Sequence, residues 1–155
     1  MKVEELRSPY QKVANLYHLG RMLDKIRLQQ ADGLPAEYLP NFGLSAGLDG
    51  HMCGFLGVEF VGVCERVRQG GTDEEIAEWC FQRGLRPSKM QARIWNEFAG
   101  KFGYDDLAAR FLVRVKSEEG FEHRTDLLTA FDLIDLREGR GLDHRAAHGH
   151  SPTNS

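Results

Sequence analysis

Apolar residues recur along this chain at helical rather than alternating spacing, and the segments they define are separated by glycine, proline and capping residues. The first segment predicts a long helix. Ser8-Pro9-Tyr10-Gln11 has the form of a helix start, with serine as cap, proline in the first turn and glutamine closing the box. Asp32-Gly33 would stop that helix after Ala31. At about 100° per residue, Val13, Leu16, Tyr17, Gly20, Leu23 and Ala31 share one side, and Asp24 and Arg27 fall among them, roughly 60° apart. Gln11, His18, Arg21, Lys25 and Gln29 make up the side expected to face water.

From Asp32 to about Gly57 the periodicity dissolves into a Gly- and Pro-rich stretch with at most a short turn near Ala36 to Leu39. Leu34, Tyr38, Phe42, Leu44, Met52 and Phe55 need burying, so the stretch is expected to be ordered. Helical spacing resumes from Glu59 to Gln69 and ends at Gly70-Gly71. Thr72-Asp73-Glu74-Glu75 then caps a helix that buries Ile76, Trp79 and Cys80. Ser88 with Gln91 opens another, through Met90, Ile94, Trp95, Phe98 and Phe102 to Gly103. Asp105 to Glu119 gathers Leu107, Phe111, Leu112 and Val115, and Thr125 to Arg137 gathers Leu127, Leu128, Phe131 and Ile134. The one rival strand, Phe55 to Cys64, rests on β-branched and aromatic content alone. The fold expected is all-α: a single compact bundle of roughly five or six helices over residues 1–137, with one long ordered loop after the first helix. Residues 138–155, with almost no apolar side chains, read as a disordered tail containing His144, His148 and His150.

Composition narrows the classes. The chain has 155 residues, 41% apolar and 28% charged, with a net charge of −3, which suits one globular domain. It has no dense basic stripe for nucleic acid and no run of about 18 apolar residues for a membrane span. Met1 to Arg7 lacks the apolar core of a signal peptide, and Cys53, Cys64 and Cys80 are odd in number and widely spaced. A cytoplasmic setting is therefore expected, with no disulfide scaffold.

Asp24 and Arg27 are the leading site candidates, because charges in an apolar stripe need a partner or a ligand. They form either a structural ion pair or an anion-binding guanidinium oriented by the carboxylate. Asp135 shares a side with Leu128 and Phe131, while Asp132 points further out; Asp135 is either a partner for Arg27 or Arg83, or an exposed edge residue. The loop offers Tyr38, Asn41, Asp49, His51 and Cys53. Too few ligands recur for a zinc site, and a Cys53 nucleophile with His51 as base would need the two side chains to converge. Phosphate-loop, dinucleotide, nucleophile-elbow and metalloprotease motifs are absent, so neither metal nor cofactor is expected.

An ordered set of motifs runs from Leu6-Arg7-Ser8-Pro9 through Gly20-Arg21-Met22-Leu23-Asp24-Lys25-Ile26-Arg27, Leu34-Pro35 with Tyr38, and Phe55-Leu56-Gly57. It continues with Gly71-Thr72-Asp73-Glu74-Glu75, Trp79-Cys80, Arg86-Pro87-Ser88, Trp95-Asn96 and Phe131-Asp132-Leu133-Ile134-Asp135. Together these resemble the bacterial domain-of-unknown-function family numbered 5069, from about Leu6 to Arg140. The resemblance implies a small helical bacterial cytosolic domain and transfers no catalytic residue.

Two function classes follow. The first is a non-enzymatic binding or interaction module, with Asp24, Arg27, Tyr38, Asp49 and Asp135 as ligand-binding candidates for a small polar or anionic ligand at the junction of the first helix and the loop. The second is an acid–base enzyme using Asp24, Asp49 or Asp135 beside an arginine. An enzyme should place a carboxylate of perturbed pKa in a pocket, whereas an interaction module should expose apolar surface.

Overall fold

The computed structural model describes residues 3–142. Among these residues there are seven α-helices, one 3-10 helix and no strand. The α-helices are α1 Leu19–Gln30, α2 Leu48–Leu56, α3 Phe60–Arg68, α4 Asp73–Arg83, α5 Lys89–Gly100, α6 Ala109–Glu118 and α7 Ala130–Arg137; the 3-10 helix is Ala36–Asn41. The all-α expectation holds, and the Phe55 to Cys64 segment is helical rather than extended. Contacts group the chain into two units, Glu4–Ala99 and a smaller one formed by Val3 with the residues from Gly100 onward. The tail histidines His144, His148 and His150 lie outside the described residues.

The first helix starts ten residues later than Ser8 predicts, since α1 begins at Leu19 with His18 as its cap. Ser8 does accept a local hydrogen bond, from Tyr10 N to its Oγ at 3.2 Å, but only a single turn forms. Val13 and Leu16 then exchange two backbone hydrogen bonds across Ala14 and Asn15, both in the left-handed region at φ 50° and 66°. The following backbone is clamped from α5. Asn96 accepts from Tyr17 N at 2.8 Å and donates to Asn15 O at 2.9 Å, while Trp95 Nε1 donates to Tyr17 O at 2.9 Å. Two left-handed non-glycine residues cost free energy, and these three bonds from a distant helix offset it.

The stretch expected to be a long loop is also more structured than its periodicity allowed. It holds the 3-10 helix and all of α2, and its glycines serve close approaches. Gly43, at φ 67°, lies against Phe60, where a Cβ would overlap the aromatic ring. Gly84 ends α4 beside the end of α2: a Cβ there would overlap the Leu56 carbonyl oxygen, which accepts from Leu85 N at 2.8 Å. Within this unit α3 packs on α1, α2 and α4.

Later boundaries follow their caps. Thr72 Oγ1 accepts from Glu75 N, and Ser88 and Gln91 close a reciprocal box at the start of α5. In the smaller unit Leu112, Val115, Leu127 and Leu133 form the core, with Phe121 and Leu136 packed against it. Asp106 accepts from Gly103 N and Ala108 N ahead of α6. Asp132, expected to point outward, is instead buried as part of the Thr129 capping box and accepts from Leu128 N and Thr129 N. Glu138 is buried too, and Arg140 ties it to Asp135, so packed structure continues past Arg137.

Asn96→Ala should cost about 2 kcal/mol, because two backbone partners, one of them on buried Tyr17, are lost together. Urea denaturation of the variant should show a lower midpoint with unchanged slope. An unchanged midpoint would mean that the Asn15–Tyr17 turn holds its left-handed backbone without α5.

Candidate functional site

Helix α1 is charged on more than one face, and each charge is met by a different segment of the chain. Asp24 is largely buried, as expected, but its principal partner is Arg7 rather than Arg27. Arg7 Nε and Nη2 form a bidentate fork on Asp24, both at 2.8 Å, and Arg7 N adds a third bond at 3.0 Å. The same guanidinium reaches Asp73 at 2.7 Å and the Gly20 carbonyl at 3.1 Å. Arg27 Nη1 meets Asp73 at 2.7 Å and stands 3.8 Å from Asp24. The expected pair is thus half of a four-residue network in which two arginines alternate with two aspartates.

Asp73 does double service. It belongs to the first turn of α4, where a negative charge complements the helix dipole, and it bridges Arg7 and Arg27. Burial pushes its pKa up, but the two arginines outweigh that and hold it below its ordinary value. Hydrogen bonding to Asp24 correspondingly holds the Arg7 proton more firmly. Arg27 keeps one edge toward solvent. Its side chain is 36% exposed, and among the described residues no acceptor meets Nε or Nη2.

The second cluster lies on the side of α1 expected to face water. His18, Arg21 and Lys25 are all buried there, which corrects that expectation. Asp49, from the first turn of α2, is fully enclosed. It accepts from Lys25 Nζ at 2.6 Å, from Gly43 N at 3.0 Å and from the His18 ring through Nε2 at 2.8 Å. Burial alone would raise its pKa; Lys25 and His18 reverse the direction and hold it well below the carboxylate range. His18 moves down because burial disfavours its imidazolium more than Asp49 favours it. The pair is therefore a neutral imidazole donating to an ionised carboxylate, with Lys25 as the countercharge. Arg21 lies 5.8 Å over the Tyr38 ring and donates to the Arg7 carbonyl at 3.1 Å, joining the two clusters.

Asp24, Arg27, Tyr38 and Asp49 all belong to this belt around α1. Asp135 belongs to the smaller unit, where it is fully buried and paired with Arg140 at 2.8 Å. Arg83, its other expected partner, stacks 4.8 Å from the Trp79 ring. The Cys53–His51 arrangement does not form either. Cys53 Sγ lies 4.0 Å from Met22 Sδ, and burial pushes its pKa up to about 12, leaving it a protonated thiol. His51 instead packs edge-on against Phe98.

The residues missed by sequence reasoning are Arg7, His18, Lys25 and Asp73. Three basic residues at 18, 21 and 25 share one helix face, and Asp49 lies in an apolar-rich stretch; together they were the available signal.

The family model for a domain of unknown function, DUF5069, matches residues 3–140. The chain belongs to this family. The DUF5069 match spans both charge clusters and the Asp135–Arg140 pair, so everything described above lies within the family's domain. A comparison with curated proteins finds no match. Among the described residues no helix is long and apolar enough to cross a membrane.

Both clusters set a pH dependence. His18 titrates lower in the folded chain, so below its ordinary pKa of 6.5 the unfolded state takes up a proton that the folded state refuses, and stability falls. Asp49 and Asp73 titrate below 3.8, so their contribution is present above that value and disappears as the pH falls through their folded pKa values. Urea midpoints should decline from pH 7 to 5 and then more steeply below pH 4. His18→Asn, which tolerates the left-handed backbone at φ 70°, should flatten the upper limb, while a lower limb remains from Asp73 and the Lys25-paired Asp49. An upper limb equally steep in the variant would remove His18 as its source.

Proposed function

We propose that this chain is a non-enzymatic interaction module whose charge clusters are scaffold and whose working surface is apolar and outward-facing. The observation that carries this is the outer side of α6 in the smaller unit. Leu107, in the turn ahead of α6, is 72% exposed and Phe111, on the helix itself, is 52% exposed; Tyr104 and Val113 are exposed as well. Large apolar side chains grouped on a surface are the ordinary mark of a protein contact, whereas scattered ones are not. Sequence periodicity assigned Leu107 and Phe111 to the core with Leu112 and Val115; only the latter two are buried.

The acid–base alternative requires a carboxyl moved toward neutrality, and Asp49, one of its three candidates, is moved the other way. We place the module in the bacterial cytoplasm, a reading supported by three cysteines that are all free thiols.

A photo-crosslinking residue at position 107 or 111 should capture a protein that one at exposed Gln69 does not. The captured protein, once purified, should bind the full chain in a calorimetric titration. Leu107→Ser with Phe111→Ser should fold normally and weaken that binding at least about tenfold. Equal capture from Gln69, or wild-type affinity in the double variant, would sink the reading.

A second reading keeps the polar junction as a site for a small anion, on the strength of the open Arg27 edge beside Asp24 and Asp73. Titration with inorganic phosphate should then move the Arg27 Nε–Hε resonance to saturation, and Arg27→Lys should abolish the binding. A linear, unsaturating drift would reject it.

A further inference from the structure

We propose that the α6 face takes a short acidic amphipathic protein segment; this rests on the interaction-module reading and names the partner class. Arg110 is exposed and makes no hydrogen bond or ion pair among the described residues. Arg114 lies 5.2 Å over the Phe111 ring and approaches Glu118 only to 3.8 Å. Its guanidinium thus sits on the apolar stripe, oriented but hardly neutralised. From Leu107 to Lys116 the sequence has Arg110, Arg114 and Lys116 and no acid, in a chain whose net charge is −3. Lys116 is turned inward, donating to the Arg124 and Leu127 carbonyls at 2.9 Å, so the two arginines are what a partner meets.

The charge pattern along the face selects among anionic partners. Asp105 and Asp106 lie ahead of the stripe, and Glu118, Glu119 and Glu122 lie beyond it. A long polyanion crossing the face would meet acids at both ends, whereas a segment of one or two turns fits its acids between them. The geometry also disfavours a membrane surface. Leu112 and Val115, the rest of the apolar side of α6, are committed to the unit's own core, leaving too narrow a face to insert. A helix with apolar residues at i and i+4 can lay one of them against Phe111 and bring acids alongside the arginines.

The test uses the full chain and two synthetic helical peptides of about fourteen residues, identical in their leucines and differing in glutamate against glutamine only within the two central turns. Fluorescence anisotropy should show the glutamate peptide binding about tenfold more tightly at low salt, with most of the difference lost at high salt. Arg110→Glu with Arg114→Glu, folded by circular dichroism, should reduce the glutamate peptide to the affinity of the glutamine one. Equal binding of the two peptides would overturn the acidic partner and leave the apolar interaction reading standing on its crosslinking test. Binding of phosphatidylserine vesicles or oligo-uridine with the same arginine dependence would overturn the partner class. Binding of neither peptide would overturn the inference outright.

Discussion

The fold of the larger unit depends on one buried carboxylate. Asp49 is completely enclosed, and an ionised carboxylate in that position is tolerable only if its acceptor sites are filled by strong donors. Lys25, His18 and Gly43 N fill them. Two of those donors come from α1 or the residue before it, and the third from the backbone ahead of α2. The single side chain therefore fixes the start and middle of α1, the first turn of α2 and the bend between them. Breaking such a set at one member strands a buried charge, which is far costlier than never having had the pair.

The Arg7 fork acts similarly for the N-terminal segment. It binds Asp24 on α1 and Asp73 on α4, so a stretch without regular structure is held by charge-assisted bonds rather than by a helix of its own. The apolar side chains of that stretch, Leu6, Tyr10, Leu16 and Tyr17, are almost completely buried, and the fork sets which way the chain enters. Hydrophobic burial supplies most of the driving force here, and the ionic bonds choose among the packings compatible with it.

What could be read from the sequence divides along the same line. The starts of α4 and α5 were legible because their capping boxes are local: Thr72 and Ser88 each bond a residue three positions on. The helix expected from Ser8 was not, because its fate is decided by Asn96 and Trp95, some eighty residues away, holding the Asn15–Tyr17 backbone. The polar side of α1 was misjudged for a related reason. A helical wheel gives angles within one helix and says nothing of Asp49 arriving to cover His18 and Lys25. Asp24 was picked out correctly as a charge needing compensation, but the compensator, Arg7, lay outside the helix being drawn. Leu107 and Phe111 show the opposite failure: Leu107 falls in the turn ahead of α6, and the core of a small unit takes Leu112 and Val115 from the helix but not Phe111.

This distribution of charge bears on function as well as fold. A group that works on a proton must be able to exchange it near neutral pH, so its two states must lie close in free energy. Asp49 and Asp73 are driven away from that condition by the contacts that make them good structural anchors. Arg110 and Arg114 are in the reverse situation, weakly engaged within the chain and flanked by exposed apolar side chains that cost the folded protein solvation without helping its core. Groups whose interactions are completed internally explain stability, and groups left incomplete on one face are where an external partner can lower the free energy. The charged belt of α1 belongs to the first kind, the outer face of α6 to the second.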